Sequence, residues 1–137
     1  MQELQNQGLA KDKLIAIQNG GANRAALKGD IKRSDILNLS PFFNTLNVIS
    51  IPGSTLLEIL EANTQVIPDD VMGGFPQVAG IQYVVDTTKA YDAGENYPSS
   101  SYARPNSIQR VTIQNINGQP FDINSNYVLL ASDYIAA

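Results

Sequence analysis

Histidine and cysteine are both missing from this 137-residue chain. Without cysteine there is no disulfide framework, and the redox compartment stays open. Histidine is the commonest transition-metal ligand and the usual general base near neutral pH. A chain lacking both is not expected to build a zinc or dinuclear transition-metal site, or a Ser-His-Asp or Cys-His nucleophile. No apolar run approaches the length that spans a bilayer, so no membrane span is expected in this segment. The opening MQELQNQGLAKDK is polar from the start, unlike a signal peptide. Basic residues are scarce beyond Arg33. Six of the nine lie within residues 1–33 (Lys11, Lys13, Arg24, Lys28, Lys32, Arg33), while ten of the thirteen acids follow. So acidic a chain is not expected to bind nucleic acid, although the opening loop carries a local positive field.

What is present reads as an ordinary globular composition, 43% hydrophobic and 16% charged. Residues 1–10 resemble the end of a helix closing on Gly8. KLIAI (13–17) reads as a buried strand that runs into a glycine loop, QNGGANR (18–24). RSDILNLS (33–40) is predicted as a short helix with Ser34 at its N-cap, ended by Pro41. LNVISI (46–51) is a strand, broken by Pro52-Gly53. STLLEILEANTQVI (54–67) is the clearest helix, with Thr55 and Glu58 at capping-box spacing and Leu56, Leu57, Ile59 and Leu60 as its apolar face. Residues 69–80 read as a Gly/Pro-rich loop and 81–86 as a strand. Residues 87–107 read as a long surface loop, and 108–122 as a hairpin turning at Asn117-Gly118. NYVLLAS (126–132) is a final strand. The expected fold is α/β or α+β, a mixed sheet with flanking helices. Residues 1–137 are taken as a single domain, partial at both ends.

Three stretches, IAIQNGGANRAAL, SPFFNTL and MGGFPQVAGIQY, occur in the order of NGGGIR, PF.N.L and GGFPQVSG in 5′-nucleotidases. The chain resembles the C-terminal substrate-recognition domain of that family from about residue 9 onward. The resemblance implies a nucleoside- or nucleotide-binding domain and no cofactor in this segment. Its partner would be an N-terminal metallophosphatase domain of the same parent chain, holding a divalent metal pair. The family pattern continues past Ala137 with a GGDG motif, and an upstream arginine of the pocket falls before Met1. Relatives of this kind are extracellular, periplasmic or cell-surface.

By the same resemblance Asn19 matches the base-contacting asparagine and Arg24 the substrate-binding arginine. The residues suit those roles: the Asn amide carries both donor and acceptor for a base edge, and the Arg fork suits phosphate. Gly21 belongs to the same loop, where glycines allow positive φ and close approach of backbone amides to a ligand. The competing reading is a plain turn after a strand with a surface arginine. Ala22 and Asn23 depart from the family's Gly-Ile at these positions. Phe42, behind Pro41, is expected to form half of an aromatic clamp around the base, with Tyr134 as the other half and Phe43 in the core. Gly73 is a further pocket candidate within a motif that also reads as a tight loop. The carboxylate pairs Glu58/Glu61 and Asp69/Asp70 read as solvated surface. The leading function is nucleotide recognition for a phosphohydrolase acting on nucleoside 5′-phosphates. The alternative is a noncatalytic surface-interaction or ligand-binding module that kept the fold.

Overall fold

The strand expected over 13–17 forms as β1 (Leu14–Asn19), in a computed structural model that describes residues 10–136. The helix end read over residues 1–10 falls almost wholly outside them. β1 has β9 (Asn126–Ser132) beside it in parallel, with Ile15 opposite Leu129 and Ile17 opposite Ala131. β2 (Leu46–Pro52) lies antiparallel on the far side of β9, and β3 (Pro76–Ala79) antiparallel on the far side of β1. The result is a mixed four-stranded sheet in the order β2-β9-β1-β3. Period-two alternation turns Ile15, Ile17, Ile51, Tyr127, Leu129 and Ala131 toward one buried core. Across that core lie Leu56 and Leu60 of the long helix and Ile81, Val111, Ile113 and Ile116 of a second sheet. The second sheet runs β4 (Ile81–Val85), β7 (Val111–Ile116), β8 (Gln119–Pro120). Asn117 (φ 50°) and Gly118 (φ 80°) make the β7–β8 turn, the double positive φ that an Asn-Gly pair supplies.

Among the described residues three α-helices complete the fold: α1 (Arg33–Leu39), α2 (Gly53–Ala62) and α3 (Asp133–Ala136). The N-cap of α1 falls two residues earlier than its sequence signal at Ser34. Lys32 takes the cap position, its backbone N–H donating to the Asp35 carboxylate at 2.8 Å, and Ser34 is inside the helix. α2 starts at Gly53 and ends at Ala62, short of Ile67, and no side chain caps its start. Thr55 and Glu58 therefore form no capping box. Glu58 instead accepts from the Tyr97 hydroxyl at 2.7 Å and pairs with Arg104 at 3.2 Å.

Two expected loops contain strands. The 69–80 stretch holds β3, whose hydrogen bonds come from β1 and not from any pattern of its own. The 87–107 stretch holds a hairpin, β5 (Ala93–Asn96) and β6 (Ala103–Pro105). That hairpin is fastened to α2 through Glu58, and to the turn just beyond α2 through Gln65, whose Oε1 accepts from the Ala103 N–H at 3.1 Å.

The largest departure concerns Glu61. It is fully buried, not solvated. Its carboxylate accepts the backbone N–H groups of Gln109 (3.1 Å), Arg110 (3.0 Å) and Val111 (2.8 Å), holding the entry to β7 on α2. Arg110, 3% exposed, turns its guanidinium onto the carbonyls of Thr64 and Ile67, beyond the end of α2. The buried carboxylate is met by three backbone N–H groups and the buried guanidinium by two carbonyls, which leaves Arg110 Nε without a partner among the described residues. Phe43 also departs from expectation: it is 83% exposed with φ 48°, outside the core.

Candidate functional site

β1 and β9 are parallel, so their carboxyl ends, Asn19 and Ser132, lie at the same edge of the sheet. β2 begins there, with Leu46 opposite Ser132, and so does β3, with Pro76 opposite Asn19. The carboxyl edge of parallel strands is where loops can converge on a ligand without breaking the sheet. Three loops do so here, carrying residues 20–24, 40–45 and 72–75.

The glycine loop leaves β1 as a short 3₁₀ turn, Gly20–Ala22. Its two glycine amides are already engaged: Gly20 N–H donates to the Phe75 carbonyl at 3.0 Å and Gly21 N–H to the Gly73 carbonyl at 2.7 Å. Neither glycine is among the positive-φ residues. The glycine at 21 is required for a different reason from the one expected. A Cβ there would stand 3.0 Å from the Gly73 carbonyl oxygen and 3.1 Å from its Cα, so two backbones touch at this point. Gly21 and Gly73, taken from separate motifs, are thus direct neighbours.

Arg24 is exposed and is held at both ends. Its backbone N–H donates to the Leu39 carbonyl at 2.9 Å, and its Nη1 donates to the Gly21 carbonyl at 3.3 Å. Its guanidinium carbon lies 6.0 Å from the centroid of the Phe42 ring, within cation–π range. Neither ion pair among the described residues, Lys89–Asp86 or Arg104–Glu58, involves Arg24, so its charge remains available to an anion. Phe42 is 53% exposed, as a stacking surface must be and a core aromatic would not be. Behind it is a hollow of about 240 Å³ whose lining includes Gln18, Ala22, Phe42, Thr45 and Ser132.

Asn19 Oδ1 is buried with no hydrogen-bond partner among the described residues. A buried unpaired acceptor costs about 1–3 kcal/mol until a donor meets it. Tyr134 is carried by α3 and is 73% exposed. It does not line the hollow behind Phe42. α3 is tied to the loop that follows Phe42: the Asp133 carboxylate accepts from the Thr45 N–H at 3.2 Å and its hydroxyl at 3.0 Å, while Asp133 N–H donates to the Thr45 carbonyl at 2.9 Å. The Thr45 backbone bond, then its hydroxyl, holds the Asp133 carboxyl below its ordinary value of 3.8. Gly21, Gly73, Arg24 and Phe42 are therefore joined by contacts, while Asn19 precedes the glycine turn with its side chain outside the lining of the hollow, and Tyr134 follows Asp133, which Thr45 holds. Sequence reasoning missed Asp133 and Thr45; their one signal was a carboxylate next to the expected aromatic.

A mixed α/β sheet with a cation and an exposed aromatic at its carboxyl edge, and an amide oxygen unpartnered among the described residues, is an arrangement suited to a small ligand. The family model for the 5′-nucleotidase C-terminal domain matches residues 4–137, and the chain belongs to that family. It is 34% identical over 126 residues to the trifunctional nucleotide phosphoesterase protein YfkN of Bacillus subtilis, covering 90% of this chain and 8% of that protein. It is 31% identical over 124 residues to the NAD 5′-nucleotidase of Haemophilus influenzae, covering 89% and 19%. The crystal structure of a 5′-nucleotidase precursor from Thermus thermophilus superposes with a TM-score of 0.70 at 28% identity, covering 98% of this chain and 24% of that one. The chain thus spans a small part of the length of the relatives it matches.

Proposed function

We propose that this chain is the nucleoside- or nucleotide-recognition domain of a 5′-nucleotidase-like phosphohydrolase that removes phosphate from nucleoside 5′-phosphates. The observation that carries this reading is the meeting of Arg24 and Phe42 at one sheet edge, on a loop that starts at Asn19: among the described residues the guanidinium has no carboxylate partner and the Asn19 Oδ1 no donor, and the Phe42 ring is exposed for stacking. Gly21 and Gly73 shape the floor by letting two backbones touch. Tyr134 supplies the second stacking face. Residues 1–137 act as one partial domain whose partner is a metallophosphatase domain of the same parent chain.

That partner would hold a pair of divalent metal ions and supply metal-activated water for the hydrolysis. Among the described residues no three His, Cys, Asp or Glu side chains gather where they could hold a metal ion, so the donor set here does not fit such a centre. This domain's own work is to bind the nucleoside and present its phosphate. The setting is extracellular, periplasmic or cell-surface, by analogy with the family. Among the described residues no helix is long and apolar enough to cross a membrane.

The test is an NMR titration of the chain with adenosine and AMP. Amide shifts are expected at Asn19, Gly21, Arg24 and Phe42, with dissociation constants of about 1 mM or weaker. AMP should bind more tightly than adenosine, and the difference should vanish in Arg24→Ala. Shifts absent from this edge, or an unchanged preference in the variant, would overturn the assignment. Fusion to a metallophosphatase domain should yield AMP hydrolysis. Binding without hydrolysis in the natural full-length chain would favour the noncatalytic module.

A further inference from the structure

We infer that Tyr102, on the β5–β6 hairpin, is a positioning residue for the Gly20–Arg24 loop. The inference rests on the binding role proposed above, but its main readout does not.

The hairpin has no sequence periodicity, and its position comes from α2. Tyr97 donates its hydroxyl to Glu58 at 2.7 Å, and Arg104 pairs with the same carboxylate while lying 5.1 Å over the Tyr97 ring. Gln65 takes the Ala103 amide. The tip is closed by Tyr97 N–H to the Tyr102 carbonyl at 2.9 Å and Tyr102 N–H to Ser100 Oγ at 3.0 Å. These bonds leave Tyr102 little freedom, and its ring ends on Gly74. A Cβ at Gly74 would collide with the Tyr102 hydroxyl and would lie 2.9 Å from both its Cζ and Asn63 Oδ1. Gly74 is a glycine because Tyr102 occupies the space its side chain would take.

The contact is transmitted by backbone. Gly74 sits between the two carbonyls that hold the glycine loop, Gly73 to Gly21 and Phe75 to Gly20. Gly21 in turn accepts from Arg24 Nη1. The 72–75 segment is short, and its local closure is the Phe75 N–H to Met72 carbonyl bond at 3.0 Å. A tyrosine pressed on its middle fixes where both carbonyls point. Close backbone contacts of this kind are shifted by even small changes in packing.

Amide exchange on the chain tests this, read by NMR at Gly20 and Gly21. Tyr102→Ala should speed exchange at both by about tenfold or more, while Ile15 and Leu129 amides stay within about twofold, as expected for a local and not a global opening. Tyr102→Phe, which keeps the ring, should stay within about threefold of the parent. Gly74→Ala alone should speed exchange like Tyr102→Ala. Combined with Tyr102→Ala, the added methyl meets only the Asn63 Oδ1, a movable side-chain end, and exchange should return partway toward the parent value. Unchanged exchange in Tyr102→Ala overturns the inference, as does a Gly74→Ala effect that is equal with Tyr or Ala at 102. If Tyr102→Ala fails to fold, Gly74→Ala and Gly74→Ala/Tyr102→Leu, whose side chain ends short of the Cζ position, carry the same comparison. AMP titration of the variants separates the two claims. No binding by the parent chain defeats the proposed function and leaves the exchange result standing. Parent binding with Tyr102→Ala unchanged in both exchange and affinity defeats only the positioning role.

Discussion

Removing the Glu61 carboxylate should be among the most damaging single changes in this protein, although the residue carries no role in binding. The side chain is fully buried and accepts three consecutive backbone amides at the entry to β7. Glu61→Ala strands those three donors where they were shielded from water, at about 1–3 kcal/mol for each left unpaired. Water entering the space offsets part of this, so the expected loss is roughly 4 kcal/mol, against a total stability of about 5–15 kcal/mol for a domain. Glu61→Gln keeps one oxygen but turns an NH₂ toward an amide N–H, for a loss of roughly 2–3 kcal/mol. Glu58→Ala is the internal control. Its pairing with Arg104 is substantially exposed, with side chains 37% and 63% accessible, and it accepts one bond from the Tyr97 hydroxyl, so about 1–2 kcal/mol is expected. Urea denaturation reads all three through the midpoint, provided the slope is unchanged. A Glu61→Ala loss under about 1 kcal/mol, or one no larger than that of Glu58→Ala, would refute the reasoning.

Gly53→Ala should destabilise by roughly 2–3 kcal/mol in the same assay, because its Cβ would stand 2.7 Å from the Asp122 carbonyl and 2.9 Å from the Ile123 carbonyl; a neutral result would mean the 122–125 turn yields freely. Gly21→Ala should weaken AMP binding by about tenfold with a smaller effect on the urea midpoint, since its clash is confined to Gly73; equal fractional losses in both would make the glycine purely structural. The tie between Asp133 and Thr45 has a definite pH sign. The folded carboxyl titrates below its ordinary 3.8, so the tie contributes above that value and is lost as pH falls through the lowered folded value. The Thr45 amide shift should follow a midpoint below 3.8, and a midpoint at or above it would show that the bond does not form in solution. Phe42→Ala and Tyr134→Ala should each weaken adenosine binding by about tenfold, from a stacking contribution of about 1–3 kcal/mol. An unchanged affinity for either removes that ring from the clamp.

Some of this protein was legible in the chain alone, for local reasons. β1, β2, β7 and β9 announce themselves because apolar alternation and a buried face are the same fact seen twice. The Asn117-Gly118 turn is legible because this pair readily supplies two positive φ values in succession. The family motifs brought forward Asn19, Gly21, Arg24, Phe42 and Gly73. Other features were decided only by tertiary contacts. Gly21 is a glycine because Gly73, from another motif, presses against it. β3 and the β5–β6 hairpin carry no period; β3 is a strand because β1 offers a partner, and β5 and β6 pair with each other, held in place by Glu58 and Gln65. α2 stops at Ala62 while its pattern runs on, and the carbonyls beyond its end are taken by Arg110 from the far side of the chain. Glu61 reads as a surface carboxylate beside Glu58, and Phe43 as a core ring beside Phe42; folding reverses both. The physical reason is the same throughout. Local sequence sets φ, ψ and which face is apolar, whereas burial of a charge or exposure of a ring depends on which backbone groups arrive next to it, and those come from tens of residues away.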